Sequence, residues 1–124
     1  MIAMNDYDLI KETIDDYFEG YMTKDRERLE RCFCSGIATM VGYWKNENGE
    51  QELFSSSLDD DIEEFLSPEH TPYGSGKGNI INMHIFSKDG ATVTFDFGGR
   101  FIDTFQMVKI DGRWKIVNKF FVDQ

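Results

Sequence analysis

Arg100-Phe101-Ile102-Asp103-Thr104-Phe105-Gln106-Met107-Val108-Lys109-Ile110 and Arg113-Trp114-Lys115-Ile116-Val117-Asn118-Lys119-Phe120-Phe121-Val122 flank Asp111-Gly112. Both runs are rich in β-branched and aromatic residues, and Asp-Gly supplies the positive φ of a tight turn. The stretch therefore predicts a long C-terminal hairpin. Upstream, Ile80 to Ser87 and Ala91 to Phe97 read as two more strands, joined at Lys88-Asp89-Gly90. Gly98-Gly99 marks a bend or bulge where the chain enters the hairpin.

The first half reads differently. Tyr7, Ile10, Ile14, Tyr17, Phe18 and Tyr21 recur at steps of three and four. That places them on one stripe of a helix from about Asp6 to Met22, with Asn5 or Asp6 as cap. A short helix from about Asp25 to Phe33 follows, turning Leu29, Cys32 and Phe33 inward. Ile37 to Trp44 and Glu50 to Phe54 form a hairpin around Asn46-Glu47-Asn48-Gly49. Ser57 and Asp60 fit a variant capping box for a third helix carrying Leu58, Ile62, Phe65 and Leu66, which Ser67-Pro68 ends. Pro68 to Asn79 is a loop. Its Gly76-Lys77 lacks the spacing of a phosphate loop. Helices first and antiparallel strands afterwards make an α+β layout, with helices on one face of a curved sheet.

The 124 residues are one domain's worth of chain, residues 1–124. Eleven Phe, five Tyr and two Trp supply enough apolar burial to exclude a disordered chain. Thirteen basic against 23 acidic residues leave a net charge of −10, which repels phosphate backbones and anionic lipid surfaces. Nucleic-acid and membrane partners are therefore not expected. No apolar run approaches the roughly 20 residues of a membrane helix. The start lacks a basic segment followed by an apolar stretch, so no secretory signal is expected. Cys32 and Cys34 are too close for an ordinary disulfide. They read as reduced thiols of a cytoplasmic protein, and with no second cysteine pair no metal site is expected.

Three segments together resemble the nuclear transport factor 2-like superfamily of cone-shaped, cystatin-like α+β domains. They are Tyr17-Phe18-Glu19-Gly20-Tyr21 with Asp25, Leu29 and Phe33; Ile37-Ala38-Thr39-Met40; and Phe101 to Phe105 leading into Lys109 to Lys119. The last is most similar to the branch called "putative lumazine-binding", a relative of SnoaL-like domains. The resemblance implies a conical pocket between a strongly bent, mostly antiparallel sheet and the N-terminal helices. It also implies a homodimer through the sheet's outer face. It implies no particular ligand, and no cofactor.

Asp103 and Lys119 are the leading site candidates. Asp103 alternates with Phe101 and Phe105, and Lys119 with Val117 and Phe121. A charge on an apolar strand face either looks into a pocket or has a buried partner. If the two faces coincide, the charges meet, and the ammonium lowers the pKa of the carboxyl. The pair then either orients a polar ligand group or serves as a salt bridge that specifies packing. Tyr17, Tyr21, Trp44, Phe101, Phe105, Val117 and Phe121 complete the expected lining, and Met40 and Tyr43 share the strand of Trp44. In the ketosteroid isomerase branch, a helix-1 Tyr and a late-strand Asp form an oxyanion hole beside a strand Asp that acts as base. Tyr17 and Asp103 are similar in position to the first two. The place of the base falls near Val41 or Gly42, neither of which carries a proton. His84 is expected to point outward and Asp96 to face solvent. The acidic run Asp59-Asp60-Asp61 with Glu63-Glu64 reads as a solvated helix start.

These residues support three functions: a binding domain for a small apolar or aromatic molecule; a SnoaL-like enzyme working by acid–base chemistry, an isomerase, dehydratase or cyclase; or an interaction module with a vestigial pocket. An open cavity favours the first two. A cavity filled by Phe and Met favours the third.

Overall fold

The computed structural model describes residues 4–124. Helix α1 runs Asp6–Thr23 and α2 Arg26–Cys32; then come β1 Thr39–Lys45, β2 Gln51–Ser57, α3 Leu58–Leu66, β3 Gly78–Ser87, β4 Gly90–Phe97, β5 Phe101–Ile110 and β6 Arg113–Asp123. The strands form one six-stranded sheet in the order β2-β1-β6-β5-β4-β3. Among the described strands β1 pairs with β6 in parallel and the other neighbours are antiparallel. The sheet is strongly curled but not closed, and the helices pack on it. The expected α+β layout is the observed one. Among the described residues, no helix is long and apolar enough to cross a membrane.

α1 begins where Asn5 accepts a hydrogen bond from the Asp8 amide. Ile10, Ile14, Tyr17, Phe18 and Tyr21 are buried on one stripe, against Val93, Phe95 and Phe97 of β4 and Phe101, Phe105 and Met107 of β5. Tyr7, assigned to the same stripe, is instead 56 % exposed. The first turn is held by polar groups: Trp114 Nε1 and Lys109 Nζ both donate to Asp6 Oδ1. Two turns later the Thr13 hydroxyl donates to the Trp114 carbonyl at 2.8 Å, fixing α1 on β6.

Local detail at three places departs from or refines the sequence pattern. Ser57 makes no side-chain cap bond to α3. The nearby polar bonds go elsewhere: Leu58 N–H donates to the Ala38 carbonyl, and Asp59 accepts from the Gly36 amide. Gly98-Gly99 is a bend rather than a bulge, at the entry to β5. With Phe97 paired to Phe101, residues 98–100 form a three-residue turn in which both glycines have positive φ, 58° and 74°. On β3, register shifts leave Ile81 and Phe86 unpaired and exposed. Ile80, Met83 and Ile85 pack on the core, while His84 stays exposed as expected.

A further bulge positions the site. Gln106 pairs with Asn118 but Met107 pairs with Ile116, so Val117 is the extra residue. Strand phase flips there. Trp114 and Ile116 face the helices before it, and Lys119 and Phe121 face the same side after it. Lys119 and Phe121 thus share a face with Ile116, and the assignment of Val117 to that face is corrected.

Candidate functional site

The curl leaves a cavity of about 500 Å³ between the sheet and the helices. Period-two alternation builds its floor. Met40, Gly42 and Trp44 of β1 face it, as do Glu52, Phe54 and Ser56 of β2 and Lys119 and Phe121 of β6. Gly42 stands where no larger residue fits, since a Cβ there would lie 2.3 Å from the Phe121 ring. Tyr17 and Tyr21 of α1, Asp61, Glu64 and Phe65 of α3, and Phe97 and Phe101 contribute the remaining walls, with His70 and Tyr73 from the following loop. The cavity is open and mostly aromatic.

Asp103 and Lys119 point to the same side of the sheet. Lys119 Nζ lies 3.6 Å from Asp103 Oδ1, and Tyr17 Oη donates to Asp103 Oδ2 at 3.2 Å. Lys119 is 5 % exposed and lines the cavity; Asp103 is 0 % exposed and lies behind it. So Asp103 supports the wall without forming it. Its pKa is also opposite in direction to expectation. Burial raises it above the usual carboxylate value, and the Lys119 charge and the Tyr17 hydrogen bond offset that only in part. The same burial, with Asp103 alongside, pushes the Tyr17 phenol well above its ordinary value.

Six of the expected lining residues border the cavity: Lys119, Tyr17, Tyr21, Trp44, Phe101 and Phe121. Three do not. Asp103 is the buried partner just described. Phe105 is completely buried beneath Tyr17, ring centroids 5.3 Å apart. Val117 is displaced by its bulge. Tyr43 pairs with Leu53 on the opposite, exposed face, so it too lies off the cavity.

α3 and the loop after it supply what sequence reasoning missed. Asp61 is buried, unlike the solvated helix start expected for its neighbourhood. Its carboxyl accepts from Ser56 Oγ at 2.7 Å, and burial raises its pKa despite that bond. The signal was present: Leu58, Asp61, Ile62 and Phe65 follow the i, i+3, i+4, i+7 pattern of a single helical stripe. His70 and Tyr73 had no such signal, being held by tertiary contacts alone. Tyr21 Oη accepts from the Tyr73 amide at 2.9 Å and lies 2.8 Å from His70 Nε2. Burial and the nearby Lys24 charge push His70 below its ordinary pKa. Lys24, in the left-handed conformation at φ 56°, sends Nζ to the carbonyls of Ser67 and His70. The loop is thereby tied to the end of α1.

The comparisons agree with this architecture. The family model described as "Putative lumazine-binding" matches residues 5–122. The fold is similar to nuclear transport factor 2-like proteins of unknown function from three organisms. That of Methylobacillus flagellatus KT is 22 % identical with a TM-score of 0.75, covering 99 % of this chain and 95 % of that one. That of Shewanella baltica OS155 is 23 % identical with a TM-score of 0.71, covering 98 % and 95 %. That of Silicibacter pomeroyi DSS-3 is 25 % identical with a TM-score of 0.71, covering 98 % and 100 %. No curated protein matches the chain. The chain belongs to the "putative lumazine-binding" family, a branch of the nuclear transport factor 2-like superfamily.

Proposed function

We propose that this protein is a small-molecule-binding domain whose cavity takes a largely apolar or aromatic compound. One observation carries the reading: a nearly buried ammonium, Lys119, stands in the wall of an open, aromatic cavity of about 500 Å³. That volume falls in the range of about 300–1,000 Å³ of small-molecule sites, and a few polar groups among apolar walls are their usual make-up. Because Phe and Met side chains line the space without filling it, a vestigial pocket is the weaker account. Native mass spectrometry of freshly purified protein tests the proposal. The expected result is a co-purified organic molecule, or uptake of 2-methylnaphthalene by protein that carries none. Protein that carries nothing and takes up no apolar compound would sink it. The same spectrum reads the assembly, which we take to be the homodimer through the outer sheet face that the resemblance implies.

Asp61 favours a second reading, an acid–base enzyme. A buried carboxyl with a raised pKa inside the cavity is a proton acceptor that β1 does not supply. For a compound identified in the purified protein, Asp61→Asn separates the two readings. Loss of turnover at unchanged affinity makes it an enzyme, and loss of affinity without any turnover in the wild type makes it a binder.

A further inference from the structure

The polar groups of the cavity also restrict the chemistry of its occupant, an inference that rests on the small-molecule reading above. Lys119 has three N–H donors. Its Nζ lies 3.4 Å from Met40 Sδ, a weak acceptor, and 3.6 Å from Asp103 Oδ1, beyond hydrogen-bond reach. The rings of Phe121 and Tyr17 stand 4.7 Å and 5.7 Å from it. Among the described residues, no oxygen lies within hydrogen-bond distance of this ammonium. Asp103 Oδ1 is correspondingly a buried oxygen without a hydrogen-bond donor. A buried ammonium in a cavity wall with unspent donors is matched to an acceptor that the protein does not provide.

The lining does not favour an anion as that acceptor. The cavity wall carries Lys119 and Lys45 against Asp61, Glu64 and Glu52, and Asp103 sits directly behind Lys119. Three carboxylates against two ammonium groups leave the lining one negative charge in excess, and Asp103 makes it two. A carboxylate or phosphate entering this space would lose its hydration without gaining a net positive field. Asp61 meanwhile accepts only from Ser56 and has capacity for another donor. Lys119, Met40 and Ser56 are in register across β6, β1 and β2, a span of about 10 Å between the outer two strands. The strand that carries Lys119 and the strand whose Ser56 bonds Asp61 therefore flank β1, with Met40 in register between them.

We propose that the cavity is built for an uncharged molecule that presents a carbonyl-type oxygen to Lys119 and an N–H or O–H to Asp61. The test uses three probes of one shape: 2-naphthamide, 2-naphthoate and 2-methylnaphthalene, titrated by equilibrium dialysis against the full chain at about pH 7.5. The amide is expected to bind wild type about tenfold or more tighter than either of the others, the size of one charge-assisted hydrogen bond. Lys119→Met and Asp61→Ala are each expected to weaken the amide about tenfold while leaving 2-methylnaphthalene unchanged within about twofold. Lys119→Arg, which keeps the charge, guards against a folding defect in the Met variant. The wild-type comparison needs no variant at all. Naphthoate binding as tightly as the amide, or an amide affinity that neither substitution moves, overturns the inference. If 2-methylnaphthalene binds and the amide gains nothing over it, this inference falls alone. If none of the three binds, the small-molecule reading falls with it.

Discussion

Replacing Lys119 by Met tests the electrostatics of the cavity wall more directly than any ligand. Met retains the apolar stem against Tyr17 and Phe121 but removes the ammonium 3.6 Å from Asp103. Asp103 is then a completely buried carboxylate holding only the Tyr17 hydrogen bond on Oδ2. Breaking a buried pair by deleting one partner costs about 3–5 kcal/mol. The long separation, with no direct hydrogen bond to Oδ1, places this case near the lower end, at about 3 kcal/mol at pH 7.5. The sign with pH follows from the raised pKa of Asp103. A carboxyl whose folded pKa lies above its unfolded value binds its proton more tightly in the fold. Its contribution to stability is therefore most favourable below the unfolded pKa of about 3.8 and declines as pH rises through the folded one. Lys119 opposes the rise, so removing it lifts the folded pKa further and carries the decline to higher pH. The penalty of Lys119→Met should accordingly shrink as pH falls towards 4. Adding Asp103→Asn should recover about 1–2 kcal/mol at pH 7.5. Urea unfolding of wild type, the single variant and the double variant at both pH values reads all three quantities. A single variant as stable as wild type at pH 7.5, or a penalty that does not change with pH, would refute the reasoning.

Other substitutions probe how the cavity is held. Gly42→Ala places a methyl 2.3 Å from the Phe121 ring and should cost about 1–3 kcal/mol, read as a lowered melting temperature; an unchanged melt would mean that β1 and β6 part easily. Tyr21→Phe leaves the Tyr73 amide without its acceptor, so exchange of that amide should accelerate and stability fall by about 1 kcal/mol. Unchanged protection at Tyr73 would show that the loop is held elsewhere. Thr13→Val deletes the buried hydroxyl that donates to the Trp114 carbonyl and should cost about 1 kcal/mol in urea unfolding. Burial raises both cysteine thiols above their ordinary pKa, so iodoacetamide at pH 7.5 should label Cys32 and Cys34 only slowly until urea unfolds the chain. Rapid labelling of the native protein would contradict their burial.

Local patterning carried much of this protein. The stripe from Ile10 to Tyr21 reads as a helix because steps of three and four can bury only one helical face. The run from Phe101 to Phe121 reads as a hairpin because Asp111-Gly112 must turn. Alternation also puts Phe101, Asp103 and Phe105 on one face. Asp61 was legible too, on the same helical stripe as Leu58 and Ile62, but its acidic neighbours masked it. What tertiary structure decided depended on contacts between segments distant in sequence. The bulge at Val117 sets which residues share a face with Lys119, and a bulge is fixed by the partner strand rather than by the strand itself. The direction of the Asp103 pKa depends on how completely the fold removes it from water, against a counter-ion 3.6 Å away. His70 and Tyr73 reach the cavity only because Lys24 and Tyr21, some fifty residues earlier, hold their loop. Periodicity records which way a side chain faces along its own element; desolvation and loop placement belong to the assembled molecule, and no stretch of chain contains them by itself.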